Sequence, residues 1–292
     1  MRLNYHHLRY FREVAHEGNL TRAASRLNLS QSALSTQIRQ LEEQLGRPLF
    51  DRTGRSMTLT EAGHIALDHA ERIFGVGEDL IATLTRSGGT TPPLRVGAMS
   101  TLSRNFQLRF LRPILKEPAA ELVLTSGNSQ RLLKALETLA LDMVLMTDPP
   151  ARDAFPGLVA HHIADQPVAI HGTKRRLRHD TLAGLLASEP VILPTESSIR
   201  TGFDSLVARL GIAPRIAATV DDMAMVRLLA RDDAGLAITP AVVLADEIAQ
   251  GLLIRAPFPL DIVESFYAVT ANRSFPHPLV QVLLSSERTE AG

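Results

Sequence analysis

Between residues 31 and 39 the sequence carries short hydrogen-bonding side chains and, at the end, an arginine. They are Gln31, Ser32, Ser35, Thr36 and Arg39. Their spacing places them on one face of a helix. Small polar groups near the positive end of a helix can read base edges in the major groove of DNA, and Gln suits adenine while Arg suits guanine or a phosphate. The alternative is the solvated polar face of an ordinary helical hairpin.

Three short helical patterns position this polar face. The first ends at Gly18, and the second carries the small pair Ala23 and Ala24, which lets another helix approach closely. The third begins after Ser30 and ends at Gly46. Its apolar side chains recur at helical spacing, at Leu34, Ile38, Leu41 and Leu45. Two helices joined by a tight turn in this way predict a helix-turn-helix.

The residues after the third helix predict a β-hairpin. Residues 49–50 and 57–59 have the pattern of short strands around the glycine-containing turn 51–56. Arg52 and Arg55 lie in that turn, where they would contact a phosphate or the minor groove. Because such a hairpin directly after a recognition helix is a wing, it favours the DNA-binding interpretation.

The stretch TRAASRLNLSQSALSTQIRQLEEQLGRPLFDR, followed by TLTEAG, resembles the DNA-binding half of LysR-type transcriptional regulators. The resemblance is dense in motifs over residues 5–63, and the layout of the remaining chain agrees with it. The family's base-reading positions fall on Gln31, Ser32, Ser35, Thr36 and Arg39, and its wing contacts fall on Arg52 and Arg55. Within the family, NYHHLRYF and HPLVQ are similar to the branch that includes the sodium/proton-antiporter activator NhaR.

A heptad pattern follows over residues 60–87. Small or apolar residues recur there at alternating spacings of three and four positions. They are Gly63, Ala66, Ala70, Ile73, Gly77, Leu80, Leu84 and Ser87. A long helix with one apolar stripe needs a partner, and the resemblance implies that it dimerises the protein. The resemblance further implies a tetramer and, for an activator, contact with RNA polymerase. The alternative is that the stripe packs against the chain's own body.

From residue 94 onward, short β-rich runs alternate with helical segments, which predicts an α/β fold with a parallel sheet. The pattern occurs twice, so we expect two similar lobes joined by a hinge. The resemblance implies a periplasmic-binding-protein-like effector domain. The expected domains are a winged helix-turn-helix at 1–59, a linker helix at 60–87 and an effector-binding domain at 94–292. The expected lobes are 94–163 with 268–292, and 164–267.

Polar side chains follow the predicted strands of this body, and in such sheets ligands bind beyond the carboxyl ends of strands, near helix N-termini. The candidate effector ligands are Ser100, Thr101, Asn128, Thr195, Ser197, Ser198 and Arg200. The Ser, Thr and Asn residues can also cap helices, which is the commoner role. Glu196, in the same segment, disfavours a carboxylate effector and favours a cationic or hydroxylated one.

Composition excludes several other classes. The 292 residues are 45% apolar and 21% charged with a formal net charge of zero, although residues 1–60 hold nine arginines against five acids. The absence of cysteine removes disulfides, thiolate zinc sites and cysteine nucleophiles. No metal-ligand motif such as HExxH occurs, so we expect no metal and no cofactor. Without a signal-peptide core or an apolar run of about 18 residues, we expect a cytoplasmic protein with no membrane contact.

Two other function classes remain as alternatives. A solute-binding protein for transport would share the lobed body, but the winged helix and the missing signal peptide oppose it. An enzyme has no support from a GxSxG motif, a Walker loop or a metal cluster, so we expect no catalysis.

Overall fold

The computed structural model describes residues 3–51, 57–85, 92–118, 120–195 and 197–290. The chain divides into two compact units, Met1–Leu84 and Thr85–Gly292. Among the described residues, no helix combines the length and the apolar character that crossing a membrane requires.

Three helices build the first unit: α1 (Tyr5–Glu17), α2 (Leu20–Arg26) and α3 (Gln31–Leu45). Their N-termini are capped by the side chains of Asn4, Asn19 and Ser30, each of which accepts a hydrogen bond from a backbone N–H of the first turn. Gly18 and Gly46 end α1 and α3 in the left-handed conformation, with φ of 61° and 69°. The predicted helix-turn-helix is confirmed.

The predicted hairpin forms from β1 (Phe50–Asp51) and β2 (Thr58–Leu59), which pair antiparallel. Two contacts fix it to the helices. The Met57 amide donates to the Gly18 carbonyl at 3.2 Å, and the Leu49 amide donates to Glu42 at 2.9 Å. The turn that carries Arg52 and Arg55 lies outside the described residues.

The predicted linker helix is α4 (Glu61–Thr85), and Thr60 caps it by accepting the Gly63 amide at 2.9 Å. The start of the predicted heptad pattern packs within its own unit. Gly63 lies against the backbone of Leu49, and Ala66 and Ala70 join the apolar core that the first turns of α4 complete. The large apolar residues of α4 that are exposed include Ile65, Ile73, Val76, Leu80 and Leu84.

The second unit alternates strands and helices. Its strands are β3 (Leu94–Met99), β4 (Leu122–Gly127), β5 (Met143–Met146), β6 (Leu158–Gly172), β7 (Val191–Pro194), β8 (Ile216–Val220), β9 (Leu236–Pro240), β10 (Ile254–Arg255) and β11 (Val263–Ala271). Its helices are α5 (Arg104–Leu115), α6 (Ser129–Glu137), α7 (Leu182–Ser188), α8 (Ser198–Leu210), α9 (Met223–Arg231), α10 (Ala245–Ala249) and α11 (Pro278–Glu290). A 3-10 turn, Ala241–Leu244, precedes α10.

The strands pair in the order β4-β3-β5-β11-β6-β9-β7-β8, with β10 beside β6. The pairs β3–β4, β3–β5, β7–β8 and β7–β9 are parallel, as the sequence predicts. The sheet is nevertheless mixed, because β11 runs antiparallel to β5 and β6, and β6 runs antiparallel to β9. The two long strands β6 and β11 therefore connect a first half, around β3–β5, with a second half, around β7–β9.

Each half has its own apolar core. Phe106, Phe110 and Phe266 are buried in the first, and Phe203 is buried in the second. Local conformation sets two of the helix ends. Helix α6 ends at Glu137, and Leu139 just beyond it takes a left-handed φ of 62°. Helix α8 begins at Ser198, because the side chain of Ser197 caps it. The predicted lobe boundaries stay a prediction.

Candidate nucleic-acid interface and effector cleft

One face of α3 is polar and open to solvent. Gln31, Ser32, Thr36 and Arg39 are exposed and Ser35 is half-buried. The opposite face, which includes Leu34, Ile38 and Leu41, is buried in the core of the first unit. The structure thus brings together the five residues that the sequence assigned to base reading.

Local hydrogen bonds order the start of this face. Thr21 of α2 donates to Oε1 of Gln31 at 3.2 Å, and Thr36 donates to the Ser32 carbonyl at 3.0 Å. The hydroxyls of Ser30 and Ser32 lie 3.1 Å apart. The short side chains are therefore held close to the helix, where a major groove could approach them.

The arginines of the first unit divide into paired and unpaired ones. Arg12 donates to Glu71 at 2.9 Å, and Arg22 and Arg26 lie 3.3 and 3.7 Å from acids of α1. Arg39 forms no ion pair with any residue that the structure describes. The polar face of α3 consequently carries an uncompensated positive charge, whereas the paired arginines mostly stabilise the unit itself.

The candidate effector residues of the first half gather at one edge of the sheet. Met99 pairs with Gly127, so Ser100 and Asn128 follow neighbouring strands. Asn128 caps α6 by accepting the Arg131 amide at 2.9 Å. Thr101 is free of capping, because Ser103 caps α5, and its Oγ1 is buried without a hydrogen-bond partner among the described residues.

The candidates of the second half follow β7. The Thr195 amide donates to the Val220 carbonyl at 2.8 Å, and Ser197 caps α8. Arg200 pairs with Asp204 of its own helix at 2.9 Å. Ser198 differs from these, since its Oγ is buried and has no partner in the described part of the chain. Glu196 lies outside the described residues.

The two halves meet beside these residues. Asn105, in the first turn of α5, donates to the Val243 carbonyl of the 3-10 turn at 3.5 Å. Ser103 and Asn105 also line a small cavity of about 30 Å³ with Met223 and Val243. The loop after β3 and the start of α5 thus face the second half, which defines a cleft between the halves.

One buried acid of the second unit was missed at the sequence level. Glu264 of β11 is 1% exposed, and neither carboxylate oxygen has a hydrogen-bond partner among the described residues. Burial, and secondarily the charge of Asp148, raises the pKa of Glu264 to about 8. The signal was present in the run ESFYAVT, whose alternation puts the acid on the same face as Phe266.

Comparison with known proteins finds one family model for the helix-turn-helix region and another for the second unit. Residues 5–64 match the family model for the bacterial regulatory helix-turn-helix protein of the lysR family, and residues 87–291 match the LysR substrate binding domain. The chain belongs to the LysR family. This LysR-type protein is a DNA-binding transcriptional regulator with an effector-binding domain.

Curated relatives cover most of the chain. It is 30% identical to the regulator ClcR of Pseudomonas putida over 82% of this chain and 84% of that one. It is 24% identical to the transcriptional activator NhaR of Escherichia coli K12 over 98% and 95%. The predicted resemblance to NhaR is therefore confirmed, at lower identity than to ClcR. The crystal structure of the LysR family regulator CbnR has the same fold, with a TM-score of 0.70 at 22% identity over 99% of this chain and 100% of that one.

Proposed function

We propose that this LysR-type regulator reads its operator with the polar face of α3. The observation that carries the proposal is Arg39, which forms no ion pair with a described residue and lies on a face of short polar side chains. Gln31, Ser32, Ser35 and Thr36 reach base edges in the major groove, and Arg39 contacts guanine or a phosphate. Arg52 and Arg55 contact DNA from the wing, on the strength of the family resemblance.

The regulator binds DNA as a dimer whose contact includes the exposed apolar side of α4. Ile73, Val76, Leu80 and Leu84 recur along that side at helical spacing, and solvent is a poor partner for such a stripe. A dimer matches a two-fold symmetric operator. Dimers assemble into a tetramer in this proposal, and an activating complex contacts RNA polymerase. The protein works in the cytoplasm, where its DNA is, and catalyses no reaction.

A small-molecule or ion effector binds in the cleft of the second unit. The candidate ligands are Ser100, Thr101, Asn128, Thr195, Ser197, Ser198 and Arg200. Thr101 and Ser198 lead this set, because their hydroxyls are buried and have no hydrogen-bond partner among the residues that the structure describes. Asn128 and Ser197 instead cap helices, and Arg200 pairs with Asp204. The effector controls transcription if it binds two arrangements of the assembly with different affinity.

The test is retention of sheared genomic DNA by the purified protein, followed by sequencing. A few enriched loci that share a dyad-symmetric motif would support the proposal. Arg39→Ala should weaken binding to that motif by about tenfold or more while random DNA is affected less, since a bidentate base contact discriminates by about 1–3 kcal/mol.

Arg26→Ala is the matched control, because Arg26 is exposed but already lies beside Glu13 and Glu17. It should change specific binding much less than Arg39→Ala. Equal losses in the two variants, or an unchanged specificity ratio in Arg39→Ala, would remove Arg39 from the base-reading set.

A further inference from the structure

Glu264 carries a buried carboxyl group that has no hydrogen-bond partner in the described part of the chain. Both of its oxygens are inaccessible and lack a hydrogen bond from any described residue. Its neighbour across the strand pair is Gln166 of β6, which makes no hydrogen bond to it. Buried acids without partners are costly, so such a group calls for a function.

The position of Glu264 follows from its neighbours along β11. Glu264 and Phe266 lie on one face of β11, and Ile262, just before the strand, continues the same alternation. Ile262 lies against the second turn of α8, because a Cβ at Gly202 would be 2.9 Å from its Cγ2. Phe266 stacks on Phe106, in the first turn of α5, with ring centroids 3.9 Å apart. Glu264 is therefore placed between the starts of α8 and α5.

The other unpartnered groups of the cleft belong to those same helix starts. Thr101 lies just before α5, and Ser198 is the first residue of α8. Their oxygens are buried and free of hydrogen bonds within the described chain. Asp148, which follows β5, adds a second carboxylate, and β5 pairs directly with β11. Arg104 and Arg227 line the small cavity nearby, but Arg104 already donates to Ser126 at 2.8 Å and Arg227 to Glu247 at 2.7 Å. The carboxyls of Glu264 and Asp148 are therefore left to meet a ligand together with the two buried hydroxyls.

We propose that the cleft recognises an effector through a positively charged hydrogen-bond donor, an ammonium or guanidinium group, that binds the carboxylate of Glu264. The proposal rests on the proposed function, since it assumes that the effector binds in this cleft. Thr101 and Ser198 accept or donate the remaining hydrogen bonds of the ligand.

The charges of the cleft favour this ligand over the alternatives. A carboxylate effector would meet the like charge of Asp148 and at most one donated hydrogen bond from a protonated Glu264. An organic cation supplies N–H donors to both Glu264 oxygens. The described residues contain no group of three or more acids and histidines that could hold a metal ion, which disfavours a bare metal ion.

Binding of a cation also changes the protonation of Glu264. With a pKa near 8, the carboxyl is mostly protonated at neutral pH in the free protein. An ammonium group stabilises the ionised form, so the carboxyl releases its proton to the buffer as the ligand binds. Titration calorimetry in two buffers with different ionisation enthalpies measures that release directly.

The experiment compares four forms of the full-length chain: wild type, Glu264→Gln, Ser198→Ala and the control Asp261→Asn. Asp261 is an exposed acid three residues away, and its left-handed φ of 55° suits Asn. Thermal shifts are measured with alkylamines, alkylguanidines and amino acids, with carboxylates and alcohols of the same carbon skeletons, and with NaCl and KCl. Responding ligands are titrated by calorimetry.

We expect a cationic organic compound to raise the Tm of wild type and Asp261→Asn. Glu264→Gln should bind it about tenfold or more weakly and release no proton, whereas wild type releases up to about one. Equal binding by Glu264→Gln, or a response only to the salts, overturns the proposal. A response only to carboxylates that Ser198→Ala loses would overturn the role of Glu264 but leave the effector cleft standing. No response from any compound would count against both.

Discussion

The buried carboxyl of Glu264 makes the stability of the second unit depend on pH in a way that a single substitution removes. The folded protein holds this proton up to about pH 8, whereas the ordinary pKa of a Glu is 4.5. Between these values the unfolded chain binds fewer protons than the folded one, so the free energy of unfolding falls as pH rises. At one pKa unit per about 1.4 kcal/mol, the loss between about pH 5 and pH 7.5 is about 3 kcal/mol.

Glu264→Gln keeps the shape of the side chain and cannot ionise. We expect wild type to lose about 3 kcal/mol relative to Glu264→Gln over that pH range, because the other titrating groups are common to both proteins. Urea unfolding measures the difference. The sequence has three tyrosines and no tryptophan, so Tyr5→Phe and Tyr10→Phe in both proteins leave Tyr267 of β11 as the reporter of the second unit.

The control is Asp261→Asn in the same background, which should follow wild type at every pH. A stability difference between wild type and Glu264→Gln that stays constant from about pH 5 to pH 7.5 would refute the reasoning, since it would mean that the pKa of Glu264 is ordinary. The same result would show that the carboxyl of Glu264 is not desolvated, and the proposed recognition of a cation depends on that desolvation.

Three further predictions concern other parts of the chain. Leu80→Asp should dissociate the dimer, which light scattering measures as a halved molar mass, while the control Glu78→Gln should leave the dimer intact. A dimer that survives Leu80→Asp would exclude this part of α4 from the interface. Gly63→Ala should destabilise the first unit by about 1–3 kcal/mol in thermal unfolding, because its Cβ would lie 2.1 Å from a backbone oxygen. Gly77→Ala meets only a tyrosine hydroxyl at 3.1 Å and should cost less. Asp142→Asn should lower the free energy of unfolding by about 3 kcal/mol. Burial alone would raise the pKa of Asp142, but hydrogen bonds and charges from Arg95 and Arg273 outweigh it and lower that pKa. The stabilisation that Asp142 gives wild type should therefore be lost as pH falls below the ordinary 3.8.

The first unit could be predicted from the sequence because its signals are local. Ser30 as a cap, Gly46 as a terminator and the apolar spacing from Leu34 to Leu41 each act within one helix. The heptad pattern of α4 left two alternatives open at its start for a related reason. A stripe of small residues indicates that something packs closely, and whether that partner is Leu49 of the same unit or a second chain depends on tertiary contacts that no spacing encodes.

The effector cleft could be predicted in its position but not in its chemistry. Ser100, Asn128 and Ser197 follow strands, so their place at the sheet edge follows from topology, yet a serine that caps a helix and one that faces a ligand have the same local sequence. Glu264 does not have this ambiguity. An acid at an inward position of an apolar strand interrupts the apolar pattern, and its burial costs free energy. Such a cost is most readily tolerated where a ligand supplies the missing hydrogen bonds. A charged residue in phase with buried neighbours is therefore a sharper sequence signal for a ligand site in this fold than the polar residues after its strands.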